Sequence, residues 1–256
     1  MTGPGPASAG VVVVGPPGAP SIVFVHSTRL TSAMWTAQQA ELSGEFQTIA
    51  IDLPAHGARA GEPFTLDGAS DVFAAAIRDH ATGGRAVVVG LSLGGYVAMA
   101  LAAREPGLVR GLVLSGSTME PVGARSVAFR MFANILEGVA AKPFDRINAW
   151  FFRTRYPPAF AEPIVAGGFW STGGAEAVRA IAGERFLPRL AAYPGRTLIL
   201  NGELDVIFRP GASTFAAAAV NARRVRLAGA SHLANLDRPL AFSEAVRRFT
   251  RSLPAD

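Results

Sequence analysis

The chain has 256 residues, half of them apolar and 17% charged, which excludes a disordered or fibrous protein and allows one large core. Cysteine is absent, which excludes disulfides, thiolate catalysis and cysteine-based metal sites. A net charge of +5 invites a nucleic-acid reading, but the basic residues are nearly all arginine (Lys142 is the only lysine), scattered and without interleaved aromatics, so no nucleic-acid partner is expected.

From Met1 to Pro20 there is Gly, Pro and Ala but no basic stretch ahead of the short run Val11 to Val14, which argues against a secretory signal and for a cytoplasmic location. No apolar run approaches the roughly 20 residues that span a bilayer, so no membrane partner is expected. Strand-like runs are predicted at Val11–Val14, Ile22–Val25, Gln47–Ile51, Ala86–Val89, Leu108–Leu114, Thr197–Leu200 and Arg224–Leu227. Helical patterns lie between them at Thr36–Leu42, Asp67–His80, Tyr96–Arg104, Gly211–Ala219 and Leu240–Leu253. The alternation predicts an α/β fold, a mostly parallel central sheet flanked by helices. Unbroken apolar strands fit a sheet covered on both faces.

The rhythm breaks between Thr118 and Leu190. No strand-like run occurs there, and aromatics gather, among them Phe129, Phe132, Trp150, Phe152, Phe169 and Trp170. Pro157-Pro158 and Gly167-Gly168 punctuate it into short helices. A single crossover needs only a dozen or more residues, so this length favours an inserted helical lid over ordinary crossovers with a greasy inner face. The expected division is a core of 1–117 and 191–256 with a lid of 118–190.

Gly-Leu-Ser-Leu-Gly-Gly at Gly90 to Gly95 follows one of these strands and opens a small-residue helix. Strand, tight turn and helix around a serine are what a nucleophile elbow requires, with Ser92 lifted from the sheet on a strained backbone. The helix N-terminus beneath it supplies free N–H groups where an oxyanion would form. A serine hydroxyl needs a base, and there are four histidines. His232, in a loop between a strand and the last helix, falls at the carboxyl end of the sheet with Ser92. His26 ends a strand on that edge with a loop-shaping role, His56 sits in the loop Pro54–Gly57, and His80 ends a polar helix. The base in turn needs a carboxylate to orient it. The run Asn201-Gly202-Glu203-Leu204-Asp205 offers two, with Asp205 favoured because it sits further out and Glu203 the fallback. Asp237 reads as a cap for the last helix or a brace for the histidine loop.

With the order Ser92, Asp205, His232 in view, the chain resembles the α/β-hydrolase superfamily, and within it is similar to small lid-bearing serine esterases and enol-lactonases. The resemblance runs from about Ile22 to Leu253 through Val23–His26, Asp52–Gly57, the elbow, Asn201–Asp205 and Ser231–Asp237. It implies oxyanion N–H donors at Leu93 and Thr28, and cleavage of a carboxylic ester or lactone through an acyl-serine intermediate, with no cofactor and no metal. Two departures stand out. Ser27 replaces the glycine that usually follows His26, and only one clear strand precedes Ile22, so the sheet is expected to lack an edge strand. The partner expected is a small, largely apolar substrate, met by Phe132, Trp150 and Leu233. The same scaffold also hosts carbon–carbon hydrolases, lyases, perhydrolases and non-catalytic ligand-binding members, which sequence alone does not separate.

Overall fold

The computed structural model describes residues 10–138 and 142–254. Seven strands form one sheet: β1 Val11–Val14, β2 Ser21–Val25, β3 Gln47–Ile51, β4 Ala86–Leu91, β5 Val109–Ser115, β6 Arg196–Gly202 and β7 Asn221–Leu227. Their spatial order is β1-β3-β2-β4-β5-β6-β7, parallel throughout except where β1 runs antiparallel to β3. The expected mostly parallel sheet with flanking helices is present, and within the described residues β1 is the one strand before Ile22.

Side chains alternate across each strand, which sorts one apolar sequence into two cores. In β2, Val23 and Val25 face one core while Ile22 and Phe24 face the other. Leu66–His80 (α2) and Leu93–Arg104 (α3) supply the first core, with Leu187–Ala192 (α8) and Ala212–Ala218 (α9). Thr36–Leu42 (α1), the short Ala234–Asp237 (α10) and Pro239–Arg251 (α11) cover the second. Every residue of α3 from Leu93 to Ala102 is buried, which is why its sequence is apolar all round rather than amphipathic.

Four further helices lie between β5 and α8: α4 Ala124–Gly138, α5 Lys142–Arg155, α6 Pro158–Gly167 and α7 Ser171–Ile181. The proline and glycine pairs mark real ends, because α6 starts at Pro158 and stops at Gly167, before Gly168 at φ 79°. α4 packs on α7 through a small core of Ala133, Leu136, Ala175 and Val178. The last helix of the stretch, α8, straddles residue 190 and puts Leu190 into the sheet's first core.

Several ends differ from the sequence reading for local reasons. α3 begins at Leu93, not Tyr96, because Gly94 and Gly95 are helical despite their propensity. Leu108 belongs to a 3-10 turn ahead of β5. β7 starts at Asn221, because an edge strand open to solvent carries Arg223, Arg224 and Arg226 instead of an apolar run. Charge on that edge also discourages pairing with another chain.

The chain turns back across β2 after β3, so the loops leaving β2 and β4 diverge at the carboxyl edge of adjacent strands. That divergence opens a crevice, the usual ligand position in open α/β sheets. Among the described residues no helix is long and apolar enough to cross a membrane.

Candidate functional site

Ser92 sits between β4 and α3 at φ 55° and ψ −117°, a conformation non-glycine residues rarely hold. Its N–H is tied to the Ser115 carbonyl of β5 at 2.8 Å, which secures the turn against the neighbouring strand. α3 must also come close to β2. A Cβ on Gly94 would lie 2.1 Å from the Val25 carbonyl oxygen and 2.7 Å from that of His26, both rigid backbone. Gly94→Ala is therefore expected to cost about 3 kcal/mol or more as an overpacked contact. Gly44→Ala, with nothing within 4 Å of its Cβ, is the control. Urea unfolding measures both, and equal midpoints would show that the close approach is not needed.

His232 follows β7 and lines the same cavity as Ser92. Its Nδ1 donates to Asp205 Oδ2 at 2.9 Å, and its ring stacks on Phe208 with centroids 4.9 Å apart. Asp205 is buried, and its other oxygen accepts the N–H groups of Phe208 (3.0 Å) and Ile207 (3.3 Å). Burial alone would raise its pKa. The hydrogen bond and charge of His232, with those two N–H groups, outweigh burial and hold the carboxyl below its ordinary value. A carboxylate only accepts, so the proton sits on Nδ1 and Nε2 keeps its lone pair. An imidazole held this way can take a proton from a hydroxyl.

Glu203 is placed otherwise. Its carboxylate accepts the Gly229 N–H at 3.1 Å and lies 3.7 Å from Arg226, away from the imidazole. Asp237 braces the histidine loop: it accepts from the Ser231 N–H at 2.7 Å and from the Ser231 hydroxyl. Its second oxygen takes Arg155 and Tyr156 of the α5 end, tying the inserted helices to that loop.

The loop after β2 carries the other features. His26 is fully buried, with Nε2 accepting the Leu53 N–H at 2.8 Å and Nδ1 donating to the Ser27 carbonyl at 2.9 Å. Burial pushes its pKa down against the opposing pull of Asp52 and the Ser27 carbonyl, so it stays neutral and shapes the loop. Burial likewise lowers His56 to about 3. Ser27 is outside the left-handed region, and its N–H donates to Met34 Sδ at 3.2 Å. Arg29 instead takes the left-handed conformation, at φ 67°. Thr28 stands between them on the cavity wall. Met34 is joined in turn to Asn235, just past His232, through its carbonyl. The two loops are thus tied together from behind.

The cavity has a volume of about 660 Å³, the range of small-ligand sites. Ser92, Leu93, Thr28 and His232 line it, and the rest of the lining is largely apolar, with Phe129 and Phe132 of α4 and Phe152 of α5. Leu233 and Phe132 line it. Trp150 does not: it is 66% exposed, and its neighbours Phe151 and Phe152 line the cavity instead. Successive helix positions point about 100° apart, and the apolar run Trp150 to Phe152 gives no sign of which one faces inward.

Sequence reasoning also missed Phe208, whose ring supports His232, and Gly116, whose added Cβ would come within 2.9 Å of that imidazole. Gly116 was within reach, as a glycine directly after a buried strand at the sheet's active edge. Phe208 carried no signal.

A family model described as the alpha/beta hydrolase family matches residues 22–245. Over 254 residues the chain is 27% identical to 3-oxoadipate enol-lactonase 1 of Acinetobacter baylyi, covering 95% of this chain and 93% of that protein. An AB hydrolase superfamily protein of Gibberella zeae is 35% identical over only 102 residues, 36% of its own length. A malate-bound thermophilic esterase from Thermogutta terrifontis superimposes with a TM-score of 0.78 at 25% identity, covering 94% of this chain and 92% of that one.

Proposed function

The chain belongs to the alpha/beta hydrolase family, and from that premise we propose that it is a serine hydrolase cleaving a carboxylic ester or lactone of a small substrate. The observation that carries the reading is the hydrogen bond of His232 to Asp205, with His232 lining a cavity that also holds Ser92 on a strained turn. Relatives named as an enol-lactonase and as esterases support ester and lactone chemistry.

In this mechanism Ser92 Oγ attacks the carbonyl carbon while His232 Nε2 takes its proton. Asp205 holds the imidazole tautomer and balances the imidazolium charge. The developing oxyanion is met by the N–H of Leu93, which as the first residue of α3 has no acceptor within its helix, and by the N–H of Thr28. His232 then gives its proton to the departing alkoxide, leaving an acyl-serine. Water, deprotonated by His232, attacks that ester, and Ser92 leaves with the proton. No cofactor enters these steps.

Helices α4 to α7 act in this reading as a lid, the proposed insertion being residues 118–190 of a core formed by 1–117 and 191–256. The test is a panel of p-nitrophenyl esters, lactones and β-diketones. Ester or lactone turnover well above β-diketone cleavage supports the reading, and cleavage of β-diketones alone overturns it.

The apolar walls predict where selectivity lies. Phe132→Ala should change acyl chain-length preference by roughly 10- to 100-fold in kcat/KM, the effect of losing a pocket group. Acetate esters, too short to reach α4, should be little affected. Trp150→Ala should leave the preference in place, since that ring faces solvent. If both variants behave like the wild type, α4 does not contact the acyl group.

A further inference from the structure

Among the described residues lining the cavity, Arg29 is the one arginine or lysine, and no carboxylate lines it. It directly follows Thr28, so its backbone sits next to the proposed oxyanion donor. Its Nε donates to the Ser171 hydroxyl, in the first turn of α7, at 2.9 Å. Its Nη2 is buried and has no hydrogen-bond partner. A guanidinium presents five N–H donors and cannot shed its charge to escape burial. Burial lowers its pKa, offset only in part by the charge of Asp145 on α5. A cation in the lining of an apolar chamber, short of an acceptor, is a site for an anion. A carboxylate accepts charge-assisted hydrogen bonds from a guanidinium, about twice as strong as those a neutral carbonyl accepts.

We propose that Arg29 is a specificity residue for substrates bearing a second carboxylate: a half-ester of a dicarboxylic acid, or a lactone with a carboxylate side arm. This rests on the reading of Ser92 as the nucleophile. The scissile carbonyl lies against Ser92, Leu93 and Thr28, and the free carboxylate is held by Arg29 next to them. The apolar walls cover the methylene chain between the two. Carboxylate placement beside the oxyanion loop fixes which end of an asymmetric substrate meets Ser92.

The experiment compares kcat/KM for monomethyl glutarate against methyl pentanoate, and monomethyl adipate against methyl hexanoate. Each pair has the same chain length and differs only in the terminal carboxylate. The wild type should favour the acidic member of at least one pair about tenfold or more. Arg29→Gln should lower that acid-to-neutral ratio by roughly 10- to 100-fold, the range for a lost charged hydrogen bond. Arg29→Lys should restore part of it. Ser171→Ala removes the Nε acceptor but keeps the charge, so the ratio should survive. If Arg29 is merely a strut between the loop and α7, Ser171→Ala and Arg29→Gln will behave alike, and the proposal is overturned. A wild-type ratio at or below one overturns it too, while ester turnover in the same assay leaves the hydrolase reading standing. If no ester of either kind is turned over, the hydrolase reading falls by itself. Calorimetric titration with glutarate then decides the anion site: binding to the wild type that Arg29→Gln loses upholds it, and no binding to the wild type removes it.

Discussion

Ser92→Ala is expected to fold as the wild type does and to lose about four to six decades of kcat. The turn does not depend on the hydroxyl. It is held by the Ser92 N–H on the Ser115 carbonyl and by α3 pressed against β2, and alanine meets the same left-handed strain that serine already bears. What goes is the atom proposed to form the acyl bond. Members of such a constellation act as a unit, so losing one costs nearly as much as losing all; the residue left over comes from oxyanion binding and positioning. Two measurements check this. Circular dichroism and urea unfolding should match the wild type, and a fluorophosphonate probe should label the wild type at Ser92 and the variant nowhere. Labelling at another residue, or turnover within tenfold of normal, would sink the acyl-serine mechanism.

Asp205→Asn is expected to reduce kcat by about 10⁴, while Glu203→Gln should stay within a few-fold of normal. The amide is nearly the shape of the carboxylate, so Phe208 and Ile207 can still donate to its oxygen. Its nitrogen, however, is a donor where His232 needs an acceptor. The imidazole then carries its proton on Nε2 and cannot accept one from Ser92. Glu203, by contrast, is engaged with the Gly229 N–H and faces Arg226, so its loss touches the edge of the sheet and not the imidazole. Steady-state kinetics on both variants, with one p-nitrophenyl ester, separates the cases. The reverse ranking would move the acid to Glu203. Mild effects from both would mean that something other than a carboxylate orients His232.

These expectations lean unequally on sequence and structure. The sheet covered on both faces, the parallel strands and the turn at Ser92 were legible because each is a local signal. Apolar runs bounded by turns, and glycines two before and two after a serine, say what the backbone must do within a few residues. The placement of Ser92, the Glu203 and Asp205 pair and His232 at one edge was legible too, since each follows a strand and strand ends of a parallel sheet share an edge. Boundaries were blurred where a local preference gave way to packing. Gly94 and Gly95 are poor helix formers that became helix because a side chain would strike the Val25 carbonyl at the first and Ser117 at the second. β7 was half hidden because an edge strand need not be apolar.

By itself, then, the sequence determined the fold class, the strand that carries Ser92 and a short choice of acids, because backbone periodicity and turn chemistry are encoded over a few neighbouring residues. Only the tertiary structure shows Asp205 paired with His232 while Glu203, two residues away, meets the Gly229 N–H. It also turned Trp150 outward and Phe152 inward on one helix, and left Arg29 with a buried N–H at the cavity wall. These are facts about direction and about residues far apart in the chain. A side chain's partner is set by how β2, β6, α5 and α7 come together, and no short stretch of sequence carries that information.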